Sequence, residues 1–185
     1  MNKTLFLDLE TTGFSRDWDY IIEVAGILYD EDSGVILDEF HEYIKPGRKI
    51  PAKITELTGI NDFKVMNCRS EREVMEDFSE WVTISHPDRI VGHNCKAFDL
   101  QFIRKKCDKY CIGWNESEVY DTLGAARSLV KAGKIIVPNC RQETLADYFG
   151  IRYSAHSALE DVKALVEIYK KIQKLSEPTM EDLGF

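Results

Sequence analysis

Apolar residues come first in short runs and then, past about residue 50, at helical spacing, so the chain predicts strands followed by alternating helices and strands. Thr4–Leu9 (TLFLDL) is an apolar run with one interruption and reads as a buried strand, closed by Thr11-Thr12-Gly13. Alternation along it sets Asp8 and Glu10 on one face and Leu7 and Leu9 on the other. Tyr20–Tyr29 and Val35–Ile44 form two further runs. The acidic, glycine-ended stretch Asp30-Glu31-Asp32-Ser33-Gly34 between them is a hairpin signal, so they are expected to pair antiparallel, with the first strand joining them as a meander.

Beyond Pro46 and Gly47 the period changes. Pro51–Leu57 predicts a short helix stopped near Gly59. Ser70-Glu71-Arg72-Glu73 is a capping box opening a helix that carries Val74, Phe78, Trp81 and Val82. Arg89–Val91 predicts a strand running out at Gly92-His93-Asn94, and the next helix has Asp99 near its start with Phe98, Phe102 and Ile103 on one side. Val119–Thr122 is the fifth strand, followed by helices over Leu123–Lys131 and Glu143–Phe149, the latter stopped by Gly150. Ser157 and Glu160 make a second S-x-x-E box, and Val162, Leu165, Val166, Tyr169 and Ile172 continue it as a helical stripe. His156 is then expected on the loop before that helix and Asp161 in its first turn, where the positive end of the helix dipole favours an ionised carboxylate. This order predicts an α/β domain over residues 1–175, a five-stranded mixed sheet flanked by helices, with a loose tail over 176–185.

Composition narrows the function classes. The 185 residues suit one domain, and 44% hydrophobic with 30% charged residues is ordinary for a globular protein. No run approaches the roughly 18 apolar residues of a membrane span, and the first ten residues lack the pattern of a secretory signal. Five cysteines without metal-ligand spacing read as free thiols, so the expected compartment is the cytoplasm. A net charge of −8 argues against a module that grips long nucleic acid by counterion release, though not against an enzyme that holds a few nucleotides through cations.

The acidic patches carry the chemistry. Asp8 with Glu10, then Asp99, then Asp161 with His156, stand at the edges of separate elements. Oxygen-only clusters suit Mg²⁺ or Mn²⁺, and a nearby histidine is a general base at neutral pH. Two cations beside a water-activating base are the parts needed for phosphodiester hydrolysis. Taken singly, each residue has an ordinary structural use; taken together they do not.

The strings FLDLETTG (Phe6–Gly13), VGHNCKAFD (Val91–Asp99) and HSALED (His156–Asp161) resemble the three exonuclease motifs of the DEDDh family. That family is the DnaQ-like branch of the ribonuclease H-like fold and includes the proofreading epsilon subunit of the bacterial replicase. IIEVAGI (Ile21–Ile27), ITELTGI (Ile54–Ile60) and DTLGAAR (Asp121–Arg127) extend the likeness over nearly the whole chain. The resemblance implies that Asp8, Glu10, Asp99 and Asp161 hold two Mg²⁺ or Mn²⁺ ions. It implies that His156 takes the proton from the attacking water, and that 5′-mononucleotides leave the 3′ ends of single-stranded or frayed DNA. It also implies substrate contacts from Thr11, Thr12, Phe14, Leu57, Asn94 and Phe98. Lys105, Lys106 and Lys109 read mainly as a solvated helix face, with phosphate tracking the sharper alternative.

Other readings stay open. RNA could replace DNA, since the 2′-OH contacts lie outside the motifs. An aspartate-nucleophile phosphatase would need a second Asp where Glu10 stands and would leave His156 idle. A binding module for 3′ termini has the intact ligand set against it, whereas an exonuclease subunit dependent on a polymerase or sliding clamp would fit the acidity; Met180–Phe185 could dock into such a partner's groove.

Overall fold

The computed structural model describes residues 2–152 and 155–177. The expectations for the 176–185 tail and its Met180–Phe185 docking segment therefore lie largely outside the described residues.

The central sheet has five strands: β1 (Lys3–Thr11), β2 (Ile21–Asp30), β3 (Val35–Tyr43), β4 (Arg89–Gly92) and β5 (Glu118–Asp121), in the spatial order β3-β2-β1-β4-β5. β1 pairs antiparallel with β2 and parallel with β4, so the sheet is mixed and β1 is its middle strand. A middle strand needs apolar residues on both faces, which the TLFLDL run supplies. Leu5, Leu7 and Leu9 pack against α3 (Glu71–Ser85) and α4 (Asp99–Tyr110) through Val74, Phe78, Phe102 and Ile103. Phe6 points the other way and joins Ala25, Ile27 and Val91 beneath Val162, Leu165 and Tyr169 of α7 (Ala158–Ser176). α5 (Thr122–Lys131) and α6 (Gln142–Phe149) pack against α7 through Leu129, Leu145 and Ile168.

Two short helices, α1 (Ala52–Thr58) and α2 (Asp62–Val65), pack through Ile54 and Val65 against Ile22 of β2, with Ile60 buried between them. α2 is not legible in the sequence because a single turn has no period. β1 runs two residues past Leu9 and carries Glu10 inside the ladder, with the register broken between Glu10 and Thr11. That irregularity turns the chain aside just after the acidic pair. Gly26 of β2 lets Trp81 lie against the sheet, for a Cβ there would stand 2.9 Å from the indole.

Ser70 and Glu73 form the expected box at α3. Ser157 is the N-cap of α7 but makes no capping bond. Glu160 pairs with Lys163 instead, and the helix start is capped by Asp161, whose carboxylate accepts from the amides of His156 (2.8 Å) and Ser157 (3.2 Å).

Candidate active site

The alternation that buries Leu7 and Leu9 under α3 and α4 turns Asp8 and Glu10 toward the N-terminal end of α7. There they meet Asp161: one carboxylate oxygen from each of the three lies within 4.8 Å of the others. Gln142, at the start of α6, donates to both the backbone (2.9 Å) and the carboxylate (3.0 Å) of Asp161 and so fixes its direction. Asp99, the first residue of α4, lines the same cleft of about 210 Å³, but one of its oxygens accepts from the amide of Leu9 at 3.2 Å. Thus the structure gathers three of the four expected ligands tightly and sets the fourth against the strand that carries the first two.

Electrostatics here are severe. Burial, then the charges of Asp99, Asp161, Glu10 and Glu23, push the Asp8 carboxyl well above the usual carboxylate range. Burial, with Asp161 and Glu23 next, pushes Glu10 up to about 8. Asp99 is pushed up to about 7, chiefly by burial, although the Leu9 amide opposes the shift. A shift such as that of Glu10 corresponds to roughly 5 kcal/mol against ionisation. Among the described residues lining the cleft there is no lysine or arginine to relieve it. A crowded, oxygen-only donor set without a protein cation fits Mg²⁺ or Mn²⁺.

His156 lies on the loop before α7 with a left-handed φ of 69°, and its Nε2 stands 3.1 Å from Glu143 of α6. Asn94, at φ 63°, and Phe98 line the cleft; the Asn94 amide is held by Asp121, the N-cap of α5. Phe14 is exposed and its ring lies edge-on to Phe98. The hydroxyl of Thr11 donates to Gly13 O, while that of Thr12 is buried between Asp19 and the Tyr20 amide, so both serve the loop. Leu57, on α1, is half-exposed and outside the cleft lining. Lys105 and Lys109 stay on the solvated face, paired with Asp17 and Glu71, whereas Lys106 departs from it and is buried against backbone carbonyls. Their charges are already engaged by the protein.

Sequence reasoning missed Gln142, Glu143 and, above all, Glu23. Glu23 faces Glu10 across the β1–β2 ladder and is fully buried. Its Oε1 accepts from His41 (2.8 Å) and Ser157 (3.4 Å), and its Oε2 has no hydrogen-bond partner among the described residues. The available signal was a lone acid inside the apolar run IIEVAGI.

The RNase_T exonuclease family model matches residues 5–169, and the chain belongs to that DnaQ-like exonuclease family, which marks it as a nuclease. The PolC-type DNA polymerase III of Listeria welshimeri is 35% identical over 179 residues, spanning 96% of this chain but 12% of that protein. The PolC-type polymerase of Bacillus subtilis is 34% identical over 169 residues, with 90% and 11% covered. The chain thus spans about an eighth of the length of these relatives. An exonuclease I structure superimposes with a TM-score of 0.84 at 24% identity, over 94% of this chain and 41% of the other. A zinc-bound E. coli exonuclease I–single-stranded DNA complex gives 0.85 at 23%, over 95% and 41%. These likenesses establish the ribonuclease H-like fold.

Proposed function

We infer that the chain is a DEDDh-type exonuclease that removes 5′-mononucleotides stepwise from 3′ ends of single-stranded or frayed DNA. The observation carrying this reading is the convergence of Asp8, Glu10, Asp99 and Asp161 on one cleft beside a loop-borne histidine, with no protein cation among the described lining residues. Those four carboxylates would hold two Mg²⁺ or Mn²⁺ ions, and Asp8 feels the charge of the other three. When bound, such ions acidify a water and stabilise charge on the leaving 3′ oxygen.

The remaining work falls to the chain's own residues. His156 takes the proton of the attacking water. While Glu143 engages Nε2, Nδ1 is the nitrogen that accepts it, and Glu143 steadies the imidazolium afterwards. Because Asp161 accepts from the His156 amide, the base is tethered to a ligand and moves with it. Phe98 and Asn94 wall the cleft where a terminal nucleotide would lie.

The PolC-type relatives favour a second reading about context: the domain works beside a polymerase that delivers frayed ends to it. Strong stimulation of a weak free activity by a polymerase would support that reading.

Digestion of a 5′-labelled single strand with Mg²⁺ tests the assignment. The expected result is a ladder that shortens from the 3′ end with 5′-mononucleotide products, blocked by a 3′-phosphate. Equal digestion of the blocked strand, or release of internal fragments only, would overturn it. A matched RNA strand cut faster than DNA would transfer the same chemistry to RNA.

A further inference from the structure

The loop between β1 and β2 displays two aromatic side chains while its backbone is fastened from beneath. Asp19 is the knot. Its buried carboxylate accepts from Thr12 Oγ1 (3.0 Å) and the Ser15 amide (2.8 Å) and pairs with Arg48, and its own amide donates to Ser15 O (2.7 Å). Gly13 passes directly against that carboxylate, where a Cβ would lie 2.5 Å from Oδ2. From α4, Lys106 donates to the carbonyls of Arg16 (3.2 Å) and Asp19, although its side chain is 2% exposed. Arg16 reaches Ala97 O at 3.3 Å, and Asp17 pairs with Lys105 at 2.7 Å.

What this fastened loop presents is Phe14, 85% exposed, and Trp18, 77% exposed. Neither contributes much to a core. The Phe14 ring lies 6.2 Å from that of Phe98, which lines the carboxylate cleft, so the apolar surface is continuous from the cleft onto the loop. Arg16, whose guanidinium reaches a carbonyl rather than a carboxylate, adds positive charge beside it on a chain whose net charge is −8.

We propose that Trp18, with Arg16, is an outer stacking platform that holds unpaired bases upstream of a 3′ end lying in the cleft. This rests on the nuclease reading and extends it to a site for a strand several nucleotides long. An indole face stacks on any unpaired base, and a guanidinium meets the phosphates between them. A loop already fixed by Asp19, Arg48 and Lys106 loses little further freedom on binding. Duplex DNA hides its base faces, so the platform selects single strands.

Binding of 5′-labelled dT10 and dT2 in Ca²⁺, read by anisotropy, tests the proposal without requiring turnover. Trp18→Ala is expected to weaken dT10 by about 5- to 100-fold, collapsing the advantage of dT10 over dT2, while Trp18→Phe restores it. Arg16→Ala should flatten the dependence of log Kd on log salt by roughly 0.7. The proposal falls if Trp18→Ala binds dT10 within twofold of the unaltered chain, or if dT2 and dT10 weaken alike. Trp18-dependent binding by a chain that never hydrolyses DNA would retire the nuclease reading and keep the platform. Intact hydrolysis with Trp18-independent binding would do the reverse.

Discussion

At the scale of single residues, the site is a store of repulsion. Asp8, Glu10 and Asp99 all have folded-state pKa values above those of free carboxyls, so between about pH 4.5 and 8 the folded chain binds more protons than the unfolded one. Stability without metal should therefore fall as pH rises through that window. Thermal melts in EDTA at pH 5, 6, 7 and 8 check the sign; a midpoint that climbs across the range would contradict it. Asp8→Asn removes one charge from the cluster. It should raise the metal-free midpoint at pH 8 by a few degrees, corresponding to about 1–2 kcal/mol. The same change should lower nuclease activity by about a thousandfold or more, on the scale of losing a catalytic electrostatic group. Lys106→Met leaves buried Glu71, whose oxygens accept from the Ile21 amide (2.8 Å) and the Tyr110 hydroxyl (2.7 Å), without its nearest buried cation. A loss of about 3 kcal/mol in a urea titration is expected.

At the scale of elements, three separate chain ends meet because the sheet puts β1 in the middle. Asp8 and Glu10 arrive on a strand, Asp99 at the start of α4, and Asp161 at the start of α7. Asp161 is aimed by Gln142 from α6. Gln142→Ala should thus weaken Mn²⁺ affinity by about tenfold or more, as loss of a residue orienting a ligand does, with the melting midpoint nearly unchanged. Unaltered Mn²⁺ affinity would show that Asp161 holds its direction without α6. Much of this frame was legible beforehand, because alternation in TLFLDL and the helical stripe from Val162 to Ile172 depend only on local period. What was not legible depends on cross-strand register or side-chain competition. Glu23 matters because it opposes Glu10, and a single strand does not reveal its partner. Ser157 and Glu160 resemble a capping box, but the Ser157 amide that Glu160 would accept from donates to Asp161 instead. Lys106 looks like one of several surface lysines until α4 is seen to turn it beneath the β1–β2 loop.

At the scale of the whole molecule, an acidic chain gathers a crowded set of carboxylates in one cleft, with no lysine or arginine among the described residues lining it. No helix among the described residues is long and apolar enough to cross a membrane. The PolC-type relatives are much longer than the stretch they share with this chain. Metal affinity should rise with pH, since each ion displaces protons from the raised carboxyls. Titration of Mn²⁺ into the chain at pH 8, followed calorimetrically and by the loss of the free-ion spin-resonance signal, tests the central claim most directly. The account predicts saturation at two ions per chain, with at least one lost in Asp8→Asn. Absence of saturable binding, or equal binding by Asp8→Asn, would contradict it.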